Sequence, residues 1–176
     1  MRAVILVGPM VDEYEVVVPY LLFKAHGFEV DVASFKAGEE VVGKRGVKLE
    51  IVPNKSFSDL KAEDYDAVII AGGYAPDKVR RDENVKKFVK EMYERGKLVL
   101  SICHGGWVVI SAGIAKGKKL TGSKGIWDDL RNAGAEPVDE PLVIDGNLVS
   151  VKTWREFDHL IKNFDKVIGV IRSTSG

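Results

Sequence analysis

Apolar and polar positions along this chain fall into two alternating rhythms. Ala3 to Gly8, "AVILVG", is an unbroken apolar run, the pattern of a strand buried on both faces. In "DEYEVVVPYLLFKAHG" the residues Tyr14, Val17, Val18, Leu21, Leu22 and Ala25 follow helical spacing, and Gly27 is placed to stop the helix. Phe28 to Ser34 alternates as a strand. Val41-Val42 and Val47 to Val52 flank "GKRG", which predicts a β-hairpin. Asp66 to Gly73, "DAVIIAGG", reads as a second buried strand running into a glycine turn. Asp82 to Gly96 is an amphipathic helix with Val85, Phe88, Val89 and Met92 on one face. Lys97 to Ile102 is a third buried strand, and a helix follows it to about Ala112. "GIWDDLRNAG" predicts another helix, "LVIDGNLVSV" a hairpin with an Asp-Gly turn, and "REFDHLIKNFDKVIGVI" a closing helix with Phe157, Leu160, Ile161, Phe164 and Ile168 inward.

Strands alternating with helices imply a mostly parallel sheet covered on both faces by helices: a single-domain, flavodoxin-like α/β sandwich over residues 1–176. Ligands bind such sheets at the carboxyl ends of the strands. The loop after Gly8, the glycines Gly72 and Gly73, and Cys103 are therefore expected to converge there.

Composition narrows the picture. The chain has 176 residues, 45% of them hydrophobic, enough for one ordinary core. Its single cysteine cannot form an internal disulfide, so a cytoplasmic setting is the expectation. No run approaches the roughly 20 apolar residues of a membrane span, and "MRAVILVGPM" reads as a first strand, too short for a leader. Lys plus Arg and Asp plus Glu both number 26, so no global field favours nucleic acid. Three scattered histidines and one cysteine lack metal-ligand spacing, and no cofactor is expected. The absence of glutamine beside heavy Lys/Glu usage is a thermophile-like trait.

The chemistry concentrates in "LVLSICHGGWVV", Leu98 to Val109. A buried strand ends at Ile102, and Cys103, His104, Gly105 and Gly106 follow at once. A sharp strand-to-helix turn exposes the residue at its apex and aims it at the helix N-terminus, which lowers a thiol's pKa. A lone cysteine is also among the most frequently buried core residues; the strand–Cys–His–Gly–Gly order favours the exposed elbow. Glu15 sits at the edge of the first helix's apolar stripe, with Val18 and Leu22, so its carboxyl is expected to be partly buried and protonated. An Asp12-x-x-Glu15 capping box is the alternative use of the same residues.

"SICHGG" after a hydrophobic strand resembles the "ICHGP" elbow of the ThiJ/PfpI superfamily, specifically its PfpI-type intracellular-protease branch, which has a class I glutamine amidotransferase-like fold. The likeness extends over "VVVPYLLFKAHGFEVDVAS", "DYDAVIIAGGYAPDKVR", "SAGIAKGKKLT", "GIWDDLRNAGA" and "VIDGNLVSV". The resemblance implies Cys103 as nucleophile, His104 as catalytic histidine and Glu15 as the acid contacting the cysteine. It implies Gly73, next to Gly72, as an oxyanion-hole glycine whose N–H acts with that of His104. It further implies that a neighbouring subunit's acid orients the histidine; the matching position is Asp77, where the family typically has glutamate. Ala71 replaces a family proline, Trp107 stands where the family's "HGPQ" has glutamine, and Ser123 takes the place of a tyrosine or histidine.

The expected protein is thus a homodimeric or hexameric cysteine-nucleophile enzyme acting on a small carbonyl compound or a peptide, with neither nucleic acid nor membrane as partner. Two activities follow from the resemblance: peptide hydrolysis, and glyoxalase or deglycase chemistry on methylglyoxal adducts. A non-enzymatic redox-sensing or chaperone-like stress protein, using an oxidisable Cys103, is the competing class.

Overall fold

The computed structural model describes residues 1–175, with side chains through Ile171. The apolar runs become the middle of one seven-stranded sheet ordered β3-β2-β1-β4-β5-β9-β8. These strands are β1 (Arg2–Leu6), β2 (Glu29–Ser34), β3 (Lys55–Ser56), β4 (Ala67–Ile70), β5 (Leu98–Ile102), β8 (Leu142–Asp145) and β9 (Leu148–Val151). Every neighbouring pair is parallel except β8 with β9. A short parallel pair, β6 (Lys119–Leu120) with β7 (Glu136–Pro137), stands apart. All residues of β4 and β5 are buried, as strands covered by helices on both faces must be. The covering helices are α1 (Tyr14–Ala25), α2 (Ala75–Val79), α3 (Glu83–Glu94), α4 (Gly106–Ser111), α5 (Trp127–Asn132), α6 (Phe157–Lys162) and α7 (Phe164–Ser175). Among the described residues no helix is long and apolar enough to cross a membrane.

The topology puts the site where the sequence analysis expects it. From β1 the chain moves outward to β2 and β3, then returns to place β4 on the other side of β1. That reversal opens a crevice at the carboxyl ends of β1 and β4, next to the end of β5. Met10, Gly73 and Cys103 all lie just beyond those ends, and a bridge between Val11 and Gly73 ties two of the loops together.

Four expectations need correction. The face of α1 is the first: Glu15, Val16, Pro19 and Phe23 are buried, Val18 and Leu22 half-buried, and Tyr14, Val17, Leu21 and Ala25 exposed. "YEVVVPYLLF" is apolar almost all round, so its periodicity does not single out a face. Packing does: Phe23 meets Phe28 and Phe164 edge-on, at centroid distances of 5.0 and 4.9 Å. Second, Val41 to Val52 forms no ladder, only a bridge between Val42 and Lys48. Its turn is held by the Glu13 carboxylate, which accepts from the N–H groups of Arg45 and Val47 at 3.0 and 3.2 Å. Third, the closing helix breaks into α6 and α7 at Asn163, whose side-chain amide donates to the His159 carbonyl at 2.8 Å. Phe157, Leu160, Phe164 and Ile168 are buried as predicted, and Ile161 is exposed. Fourth, the late hairpin is present, but its two turn residues are Gly146 and Asn147 rather than Asp145 and Gly146, with Asp145 paired to Leu148.

Candidate active site

Cys103 sits at the apex between β5 and α4 with φ +56°, a left-handed conformation that non-glycine residues adopt only under constraint. The constraint is the packing of the glycines behind it. A Cβ on Gly105 would lie 2.6 Å from the Ile70 carbonyl oxygen, and one on Gly106 would lie 2.8 Å from Ile126 Cδ1. Only glycine lets the turn press this closely on β4. The result is a half-buried thiol whose Sγ lies 3.3 Å from His104 Nδ1. His104 is held neutral at lower pH than an ordinary histidine, first by burial and then by the Lys44 ammonium. A neutral imidazole at that distance is placed to receive the thiol proton.

Glu15 projects from the first turn of α1 and is fully buried. Its Oε1 accepts the Gly72 N–H at 2.8 Å and its Oε2 accepts the Trp154 N–H at 3.2 Å. Asp12 instead receives the Tyr14 N–H at 3.0 Å, so Glu15 does not close a capping box with it. Burial, reinforced by the nearby Asp12 carboxylate, pushes Glu15 up to about 8 against the pull of its two N–H donors. It therefore carries a proton at neutral pH, as expected, though through complete rather than partial burial.

The thiol behaves differently from the expectation. Burial and the Glu15 carboxylate push Cys103 up to about 12, with the His104 backbone N–H and Lys44 opposing them. The elbow and helix terminus do not by themselves produce a thiolate. The two acids titrate as a pair: while Glu15 keeps its proton, its charge no longer opposes thiolate formation, and His104 supplies the base.

The Gly73 amide completes the constellation. In the bridge between Val11 and Gly73 the flanking bonds run from the Asp12 N–H to the Gly72 carbonyl at 3.1 Å and from the Tyr74 N–H to the Met10 carbonyl at 3.0 Å. This is the wide type of antiparallel pair, which leaves the Gly73 N–H without a ladder acceptor. The cleft around Cys103 measures about 190 Å³ and is lined by Asp12, Glu15, Lys44, Gly73, Tyr74, His104, Ser123, Thr153, Trp154 and Arg155. Cys103, His104, Glu15, Gly73 and Ser123 are thus brought together, with Gly72 directly beneath the Glu15 carboxyl. Trp107 meets His104 edge-on at 5.1 Å, but it faces a neighbouring groove, where its Nε1 donates to Asp129 at 2.9 Å. Asp77 lines that second groove as well; it is exposed on α2 and paired with Arg81 at 2.8 Å.

Sequence reasoning overlooks Lys44, Tyr74, Thr153, Trp154 and Arg155. Lys44 lay in the "GKRG" turn, whose charge had no visible partner in sequence. Trp154 reaches Glu15 across 139 positions, with no local pattern to announce it. Asp12 has more than a capping role: it takes Arg45 at 2.7 Å and Lys44 at 3.2 Å while almost completely buried. Asp12→Ala is expected to cost about 1–3 kcal/mol in chemical denaturation, because the Tyr14 N–H and two partly exposed cations lose their acceptor while Arg45 keeps Glu13. It should also lower the Glu15 pKa, since a raising charge disappears. An unchanged Glu15 titration in this variant would show that burial acts alone.

Known proteins resemble this chain over most of its length. The chain is 40% identical over 169 residues to deglycase PYRAB04690 of Pyrococcus abyssi, covering 92% of this chain and all of the relative. YraA of Bacillus subtilis, whose name provisionally makes it a cysteine protease, is 38% identical over 152 residues, 86% of this chain and 89% of its own. Among solved structures, a two-domain protein from Anabaena variabilis with DJ-1/ThiJ/PfpI-like and ferritin-like domains matches with a TM-score of 0.90 and 36% identity. The match covers 96% of this chain and 50% of that one. A family model described as the DJ-1/PfpI family matches residues 1–164. An elbow cysteine on a parallel sheet, read together with relatives matched over nearly their whole length, makes this chain a member of the DJ-1/PfpI family.

Proposed function

We propose that this PfpI-type cysteine enzyme acts on small dicarbonyls and their amine adducts, as a glyoxalase or deglycase, in preference to peptides. The observation that carries the reading is the contact of Cys103 Sγ with a neutral His104 at 3.3 Å, beside a protonated Glu15. Among the described residues no carboxylate bonds His104. Amide hydrolysis needs an oriented acid to protonate a poor leaving group; within one chain His104 has none, and Asp77, the candidate from a second copy, is one methylene shorter than the family's glutamate. Addition to an aldehyde has no such need.

In the proposed reaction the thiol proton passes to His104 Nδ1 as Sγ adds to the aldehyde carbon, giving a hemithioacetal. With an amine adduct, the amine leaves and takes up a proton. A proton then moves from the former aldehyde carbon to its neighbour, with His104 and Glu15 as carriers, leaving a lactoyl thioester on Cys103. Water cleaves the thioester to lactate and returns the thiol, so one methylglyoxal and one water give one lactic acid. The Gly73 N–H, unused by the sheet, is the donor for the developing oxyanion. The name of the Pyrococcus abyssi relative supports this chemistry, and that of YraA supports the peptidase alternative.

The test follows methylglyoxal loss and fluorogenic-peptide cleavage in one preparation, with Cys103→Ala as blank. Cys103-dependent lactate formation exceeding peptide cleavage is expected. Robust Cys103-dependent peptide cleavage without lactate would overturn the ranking. Stoichiometric conversion of Cys103 to a sulfinate by mild peroxide, with neither substrate consumed, would favour the redox-sensing class instead.

A homo-oligomer, at least a dimer and up to a hexamer, belongs to the same proposal. Asp77 of one copy would then approach His104 of another, and the exposed apolar side chains Tyr14, Val17 and Leu21 give α1 a surface suited to burial. Light scattering at micromolar concentration is expected to report a dimer or larger. A monomer would reject a shared acid.

A further inference from the structure

The charges lining the Cys103 cleft do not cancel. Its carboxylate, Asp12, is already matched by Lys44 at 3.2 Å and by Arg45 at 2.7 Å. Glu15 is uncharged below about pH 8, and His104 is neutral. Arg155 also lines the cleft, and among the described residues no acid pairs with it. Its position is nevertheless defined. The guanidinium stacks over the Trp154 ring, 4.7 Å from the ring centre, and the Arg155 N–H donates to Thr153 Oγ1 at 3.1 Å. Trp154 is fixed in turn by its own N–H on Glu15 and by Tyr14, edge-on at 4.9 Å. The Trp154 indole Nε1 is buried without an acceptor.

We infer that Arg155 selects substrates that carry a carboxylate near the reacting carbonyl. This rests on the carbonyl chemistry proposed for Cys103 and names its substrate class: adducts of dicarbonyls with free amino acids, whose α-carboxylate pairs with the guanidinium. A planar, permanently charged fork suits a carboxylate, and stacking on an indole limits the freedom lost when it binds. Among the residues lining the cleft, Lys44 and Arg155 against Asp12 leave one surplus positive charge, which matches a monoanion. Neutral methylglyoxal has nothing to offer Arg155 and is expected to be the poorer substrate.

Two measurements test this. The first needs no turnover: the rate at which iodoacetamide alkylates Cys103 is followed with N-acetylglycine, N-acetylglycinamide or methyl phosphate present. N-acetylglycine should protect at concentrations about tenfold lower than the amide, a ratio expected for one charge-assisted pair. Arg155→Gln should abolish that ratio, and Arg155→Lys should keep part of it. The second compares KM for the methylglyoxal adducts of alanine and alaninamide, where the alanine adduct should have the lower KM and Arg155→Gln should remove the difference. Equal protection by acid and amide, a ratio that survives Arg155→Gln, or protection by methyl phosphate alone would overturn the inference. Failure of both adducts to turn over, with the protection ratio intact, would refute the proposed activity and leave the anion site standing.

Discussion

Replacing Gly72 by alanine is expected to lower Cys103-dependent activity by at least about a hundredfold. A Cβ at this position would lie 2.4 Å from Glu15 Oε1, 2.8 Å from the Ile102 carbonyl oxygen and 2.9 Å from Cys103 Cβ. The methyl group thus enters the gap between the acid and the carbon bearing the thiol. Ile102 is the last residue of β5 and cannot retreat without shifting the elbow, so the carboxyl or the thiol must move. Overpacking of this kind costs roughly 1–3 kcal/mol of stability, which a well-packed sheet tolerates. Circular dichroism should therefore report a folded protein while lactate formation collapses. An active Gly72→Ala variant would show that Glu15 and Cys103 do not need their present spacing.

The second large effect is on pH dependence. Glu15 has a folded-state pKa of about 8, against about 4.5 for an ordinary glutamate. Its native state therefore holds a proton that the unfolded chain has released between those values. The sign follows from linkage: stability is fully present below about pH 4.5 and is lost as pH rises toward 8, with a slope of about 1.4 kcal/mol per pH unit from this group. Glu15→Gln cannot ionise, so this slope should vanish from its denaturation profile. The substitution has its own cost, about 1–3 kcal/mol, because one of the Gly72 and Trp154 N–H donors would face the amide NH₂. Activity should respond in the same direction. In the wild type, ionisation of Glu15 near pH 8 raises the thiol pKa and repels the developing oxyanion, so the rate should fall above that pH. The variant should lack that alkaline limb. A wild-type rate that climbs smoothly through pH 8, or a limb that persists in Glu15→Gln, would contradict the assignment of Glu15 as the coupled acid.

What could be read in the sequence depended on how local the cause was. The runs Ala3 to Val7, Ala67 to Ile70 and Leu98 to Ile102 are apolar without interruption because both faces of those strands are covered, so pattern alone placed them. The elbow was legible for the same reason, since a strand, a cysteine and two glycines are contiguous. The α1 face was not, because its residues are apolar around most of the helix and tertiary contacts with Phe28 and Phe164 choose the side. The turn at Lys44 to Gly46 looked like a ladder, yet a buried carboxylate thirty-odd residues earlier holds it. The depth of Glu15 and the place of Arg155 depend on Trp154, which only the return of the chain through β9 brings to the cleft. Charge behaved similarly: the helix terminus beside Cys103 was visible, but the burial and carboxylate that outweigh it were not.

The central claim is that Cys103 performs carbonyl chemistry through a thioester bound to itself. Intact-mass spectrometry of protein quenched by acid during methylglyoxal turnover tests it most directly. The account predicts a lactoyl adduct that maps to Cys103, accumulates with substrate, disappears as lactate is released and is missing from Cys103→Ala. Lactate released at the full rate with no adduct on Cys103, or equally fast by Cys103→Ala, would contradict it.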